Sequence, residues 1–90
     1  MKPYKDQFID SDNRIREFSP NSDISEFVWH RDKRDRIVEV LGGEGWKFQF
    51  ENEIPIELRK GEKIKIPKNE YHRIWKGNTN LKIKITEYGG

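Results

Sequence analysis

Arg36-Ile37-Val38-Glu39-Val40-Leu41-Gly42-Gly43-Glu44-Gly45-Trp46-Lys47-Phe48-Gln49-Phe50 is the stretch that decides the fold. Its apolar and polar residues alternate with a period of two, the period of a half-buried strand. Arg36 to Leu41 reads as one strand, stopped by Gly42-Gly43. Trp46, Phe48 and Phe50 alternate with Lys47 and Gln49 in the next. A strand, a glycine stop and a second strand within fifteen residues leave no room for a helix.

The same period extends in both directions. Phe27-Val28-Trp29-His30 reads as a short strand upstream. Downstream, Glu51-Asn52-Glu53 turns the chain into Ile54-Pro55-Ile56-Glu57-Leu58, where Pro55 cannot donate to a ladder and calls for an edge or bulge. Gly61 opens Lys63-Ile64-Lys65-Ile66, His72 to Trp75 follows, and Leu81-Lys82-Ile83-Lys84-Ile85 closes the series. The lysines of these last strands are expected on the solvent face, guarding the edges. Short strands with frequent turns and no segment of helical period predict an all-β fold, a small antiparallel barrel or jelly roll. Residues 1–25 are polar and broken by Pro3 and Ser19-Pro20-Asn21. They predict an arm packing on a barrel of residues 26–90, with a strand around Arg14 to Phe18. Asp10-Ser11-Asp12-Asn13 lacks the glycine and distal glutamate of a calcium loop and reads as a solvated turn.

Composition narrows the function classes. Ninety residues make one domain, with 32% hydrophobic and 38% charged residues, so the few apolar side chains must be well placed. The net charge of +2 is interspersed rather than clustered, which argues against nucleic acid as a partner. No apolar run reaches the length of a membrane span, and the first residues show no signal-peptide pattern; a cytoplasmic location is expected. There is no cysteine, hence no disulfide, thiolate nucleophile or Cys-type zinc site. No phosphate-binding glycine loop or nucleophile elbow is present. The small size, three tryptophans and polar arm predict a homodimer.

Two short pieces carry the chemistry. His30-x-Asp32 precedes the deciding stretch, and Pro67-x-Asn69-x-x-His72 follows it. The spacing His30-x-Asp32-x3-Arg36-x6-Gly43, together with Gly61-x5-Pro67-x-Asn69-x2-His72, resembles the paired motifs of a small single-domain cupin. Asp32 stands at the second histidine of the first motif, and Arg36 at its glutamate. Asn69 replaces a glycine, a substitution the left-handed backbone region tolerates, and Lys76 replaces the final asparagine. The resemblance covers residues 26 to 87. It implies a barrel whose mouth binds a metal, and, carried over by position, His30, Asp32 and His72 as ligands.

Two imidazoles and one carboxylate form the donor set of facial-triad sites, suited to a divalent ion such as Zn, Fe, Mn or Ni. Arg36 opposes that reading. A fixed guanidinium about 5 Å from a dication, at an effective dielectric of about 20, repels it by roughly 6 kcal/mol. Paired with Asp32 in bidentate geometry, it would instead fill the metal's place. Arg36 and Gln49 are the further candidates for contact with a ligand in the pocket. Three functions remain open: a metal-dependent cupin enzyme acting on a small polar molecule, a non-catalytic module holding an anionic small-molecule ligand, and a structural domain with a vestigial pocket.

Overall fold

A computed structural model describes residues 4–21 and 27–89. Among the described residues there are eight strands: β1 (Tyr4–Phe8), β2 (Asn13–Phe18), β3 (Asp35–Gly42), β4 (Lys47–Phe50), β5 (Ile56–Glu57), β6 (Lys63–Ile66), β7 (His72–Trp75) and β8 (Leu81–Tyr88). They form two antiparallel sheets, a five-stranded one in the order β1-β2-β8-β3-β6 and a three-stranded one in the order β5-β4-β7. There is no α-helix among the described residues, as the two-residue period predicts. The sheets are not joined into one closed hydrogen-bonded barrel; side chains between them close the fold instead.

Parity explains that core. Phe18, Leu81, Ile83, Ile85, Val38 and Val40 project from the large sheet and meet Phe48 of β4, while Trp46 is wholly buried beside them. Each large apolar side chain buried this way contributes about 1.5–3 kcal/mol. The alternate residues Lys63, Lys65 and Lys82 are exposed, as expected. Val40 and Gly42 straddle a register shift in the β3–β8 ladder. Gly43 follows at φ 135°, with a hypothetical Cβ only 3.1 Å from Leu81. Glycine is needed there because both the backbone angle and the close approach exclude a side chain.

The strand expected around Arg14 to Phe18 is present, but it has a partner that the sequence did not disclose. β1 pairs with β2 along its whole length, Tyr4 opposite Phe18 through Phe8 opposite Arg14. Polar Lys5, Asp6 and Gln7 hide its alternation. Asp10 makes the intervening turn, its Oδ1 accepting the backbone N–H groups of Asp12 and Asn13 at 2.9 Å each. The expected boundary after residue 25 and the side chain of Ile24 lie outside the described residues. The strand expected at Phe27 to His30 does not form: His30 alone makes a bridge, to His72. Val28 is more than half exposed, so burial of its side chain does not hold such a strand in register.

Candidate metal and ligand site

The two motifs meet at the mouth of the barrel through their backbones. His30 and His72 exchange both main-chain hydrogen bonds, at 3.0 and 2.9 Å, and the N–H of Asn69 donates to the carbonyl of Asp32 at 2.7 Å. Asn69 adopts φ 64°, the left-handed conformation expected where the cupin-like motif has glycine. Pro67 ends β6 just before this turn and cannot extend the ladder. The turn therefore delivers His72 to the start of β7, directly across from His30.

Ligand-type atoms of His30, Asp32 and His72 lie within 4.8 Å of one another. The imidazole rings are 4.4 Å apart, edge to face, and His72 stacks on Phe48 at 5.5 Å. His30 Nδ1 lies 2.9 Å from the carbonyl of Val28, and His72 Nδ1 lies 2.9 Å from the carbonyl of Glu70. A carbonyl only accepts, so in a neutral ring each Nδ1 carries the hydrogen and each Nε2 offers a lone pair. This is the arrangement in which a ring nitrogen is oriented as a metal ligand by what its other nitrogen donates to.

Asp32 supplies the test of fit. His72 Nε2 approaches its Oδ2 at 3.2 Å, yet this buried oxygen receives no aligned hydrogen bond. A neutral His72 with its hydrogen at Nδ1 has none to give Oδ2, whereas an imidazolium has one at Nε2. A bare lone pair facing a carboxylate is repulsive unless a cation or a second imidazole proton lies between them. The donor set and the orphaned oxygen therefore fit a divalent ion. Burial alone would raise the Asp32 pKa, but contact with His72 and the charge of Arg36, aided by the charges of His72 and His30, hold the carboxyl below its ordinary range.

Arg36 enters the same region, though not as a bidentate plug. Its Nη1 lies 3.4 Å from Asp32 Oδ1, while its Nε donates to Glu87 Oε2 at 3.2 Å. Glu87 also accepts from Arg14 Nη1 at 2.7 Å, and Asp6 receives Arg16 Nε at 2.7 Å. Arg14 and Arg16 are both buried. An alternating row of charges thus crosses the inner face of the large sheet, from Asp6 to Asp32. Burial pushes the Glu87 pKa up, but the hydrogen bond from Arg14 and the charges of Arg36 and Arg14 bring it below the usual value.

Glu87, Arg14 and Arg16 were not singled out from the sequence. A signal existed: Glu87 has the parity of Ile83 and Ile85, and Arg14 and Arg16 have that of Phe18. Gln49 requires a correction. It does not line the cavity but points outward, its Oε1 accepting from Arg73 Nε at 2.9 Å and Trp75 Nε1 at 3.0 Å. Alternation along β4 sends it opposite to Phe48, so the polar contact expected of it falls on the outer face.

Behind the site lies a cavity of about 50 Å³, bounded chiefly by aliphatic and aromatic side chains, with His30, His72, Arg36 and Arg16 as its polar members. A water occupies about 30 Å³ of liquid and a drug-sized ligand needs about 300 Å³ or more, so the interior admits only a small group.

Several solved structures with a similar fold are cupin domains. A cupin domain from Bordetella pertussis is 18% identical, with a TM-score of 0.63, the match covering 99% of this chain and 98% of that one. A cupin-2 domain protein from Shewanella frigidimarina is 26% identical, with a TM-score of 0.64 over 91% of this chain and 76% of the other. A DMSP lyase structure is 18% identical, with a TM-score of 0.73 over 87% of this chain; the chain spans 38% of that protein's length. No family model and no curated protein sequence matches the chain. The chain is a small cupin-fold domain. No helix of the described residues is long and apolar enough to cross a membrane.

Proposed function

We propose that the chain is a divalent-metal-binding cupin that binds or acts on a small polar molecule at the barrel mouth, with His30, Asp32 and His72 as the metal ligands. The observation that carries this reading is the orphaned Asp32 Oδ2 beside two imidazoles whose Nδ1 atoms are tied to main-chain carbonyls. An ion there would supply Lewis acidity and a point of attachment for a ligand. The protein's own part is to hold both rings in the ligating tautomer, to keep Asp32 ionised, and to exclude water behind the site with Phe48 and the aliphatic wall. Neighbours named as lyases of DMSP support a small-molecule role for the fold. Calorimetric titration with Zn, Mn and Ni should show one ion per chain in the natural protein and none in His72→Ala. Absence of binding by the natural protein overturns the metal reading.

The ion pair of Arg36 with Asp32 favours a second reading, in which His72 is protonated, no metal binds, and the mouth holds an anion. We also propose a homodimer, supported by the exposed rings of Trp29 and Trp75, which flank Arg73 at 4.4 and 4.9 Å on the outer face. Light scattering that gives the monomer mass at tens of micromolar would count against it.

A further inference from the structure

We infer that Glu87 is a positioning residue for the metal site: it holds Arg36 by Nε, keeps the guanidinium from closing on Asp32, and so sets how tightly His30, Asp32 and His72 take a divalent ion. The inference rests on the metal reading proposed above and adds a residue of β8 to it.

The ladder brings Glu87 and Arg36 together. Arg36 of β3 and Glu87 of β8 are directly opposite in register. Directly opposed residues carry their Cβ atoms on one face about 5 Å apart, which puts an arginine and a glutamate within reach of each other. The N–H of Glu87 donates to the carbonyl of Asp12 at 2.8 Å and pins the backbone at that point.

The carboxylate of Glu87 is divided between two arginines. Oε1 accepts from Arg14 Nη1 at 2.7 Å, and Oε2 accepts from Arg36 Nε at 3.2 Å. With both oxygens engaged, Glu87 is not itself a ligand. Among the described residues, the donors that converge for an ion are those of His30, Asp32 and His72.

Arg36 is the point at which two acids compete. Its Nη1 stands 3.4 Å from Asp32 Oδ1, longer than a charge-assisted hydrogen bond, while its Nε is committed to Glu87. Asp32 Oδ2 is buried without a hydrogen-bond partner, 3.2 Å from His72 Nε2. Glu87 thus leaves open the oxygen that an ion would use. Without the charge of Glu87, Arg36 loses the acid that competes with Asp32, and a two-point grip on Asp32 would occupy both of its oxygens. The guanidinium would also keep its full charge beside the site with its nearest counter-charge gone, which repels a dication. Both effects weaken metal binding. The side chains of Asp32, Arg36 and Glu87 expose little surface, so salt screens these charges poorly.

Mn and Zn are titrated by calorimetry into the natural protein, Glu87→Gln, Arg36→Met, the double variant of both, and Glu57→Gln, which removes an exposed acid of the small sheet. Glu87→Gln should bind Mn roughly tenfold or more weakly than the natural protein. Glu57→Gln should match the natural protein. Because Glu87 acts through Arg36, its replacement in the Arg36→Met background should have almost no effect. A merely structural role, or a general effect of lost charge, would persist in that background. Circular dichroism checks the fold of each variant. Glu87→Asp keeps the charge but draws it back from Nε; its affinity should fall between the two, and it takes the place of Glu87→Gln in the cycle where that variant does not fold. Equal Mn binding by the natural protein and Glu87→Gln, or a loss of the same size with and without Arg36, overturns the proposal and leaves the metal site standing. Binding by Arg36→Met but not by the natural protein also overturns it, since Glu87 would then fail to hold Arg36 aside. Binding by neither removes the metal reading itself, and this proposal with it.

Discussion

The two ends of the barrel share strands and differ in almost everything else. At the closed end, Leu81, Phe18, Val40 and Trp46 fill the space between the sheets, and Trp46 has no exposed surface. Its indole N–H donates to the carbonyl of Thr79 at 2.7 Å, so even its polar atom is satisfied. At the mouth, six residues further along β8, Glu87 replaces the aliphatic pattern and meets Arg36 and Arg14. One end gains from removing apolar surface from water, while the other keeps charges together at a desolvation cost that their pairing offsets only in part. A chain this small keeps its shape at one end and can spend stability on chemistry at the other.

Truncating the closed end should therefore do the most damage. Trp46→Ala is expected to lose about 3–5 kcal/mol, read as a lower midpoint in urea unfolding with little change in slope. Gly77 shows how tightly the site is filled: a Cβ there would stand 2.3 Å from the Trp46 ring. A loss below about 1 kcal/mol, the scale of a well-tolerated core exchange, would show that the closed end is not the source of stability.

The mouth should respond less, and chiefly to acid. Glu87→Gln keeps the shape and removes the charge between Arg14 and Arg36, costing about 1–3 kcal/mol. The linkage has a definite sign. Asp32 and Glu87 have folded-state pKa values below their unfolded ones. Their contribution is complete above the ordinary carboxylate range near pH ~4 and is lost as pH falls through the lowered folded values. Unfolding free energy should be nearly level between about pH 7 and 5 and drop below about pH 4, with a shallower drop in Glu87→Gln. Equal acid slopes for the two proteins would remove Glu87 from this account.

The two ends were unequally legible in the sequence. Alternation at Val38, Val40, Phe48 and Ile83 announces buried strands, because apolar burial follows side-chain parity directly. Pro67, Asn69 and His72 announce a turn and a ligand because their spacing is rigid. The row from Asp6 to Asp32 was hidden for the opposite reason. Arg14, Arg16 and Glu87 occupy inward positions, but a charged residue in a strand is ordinarily read as solvent-facing, and Glu87 lies far in sequence from both arginines it pairs with. Phe27 to His30 misled in the other direction. Its residues favour a strand, yet strand formation is settled by a neighbouring ladder, and only His30 finds one. Gln49 failed by chemistry outranking parity: a polar side chain seemed useful in the pocket, but the pleat had already turned it away.

The double hydrogen bond between His30 and His72 has a thermodynamic meaning as well as a spatial one. The two residues are far apart along the chain, and the contact that joins them links the first motif to the opposite sheet. Such a pairing closes only after the entropy of the loop between has been lost, a cost that an ion or anion held by both residues would help to offset. Bound to the folded chain and not to the unfolded one, it would raise the stability of the native state as its free concentration rises.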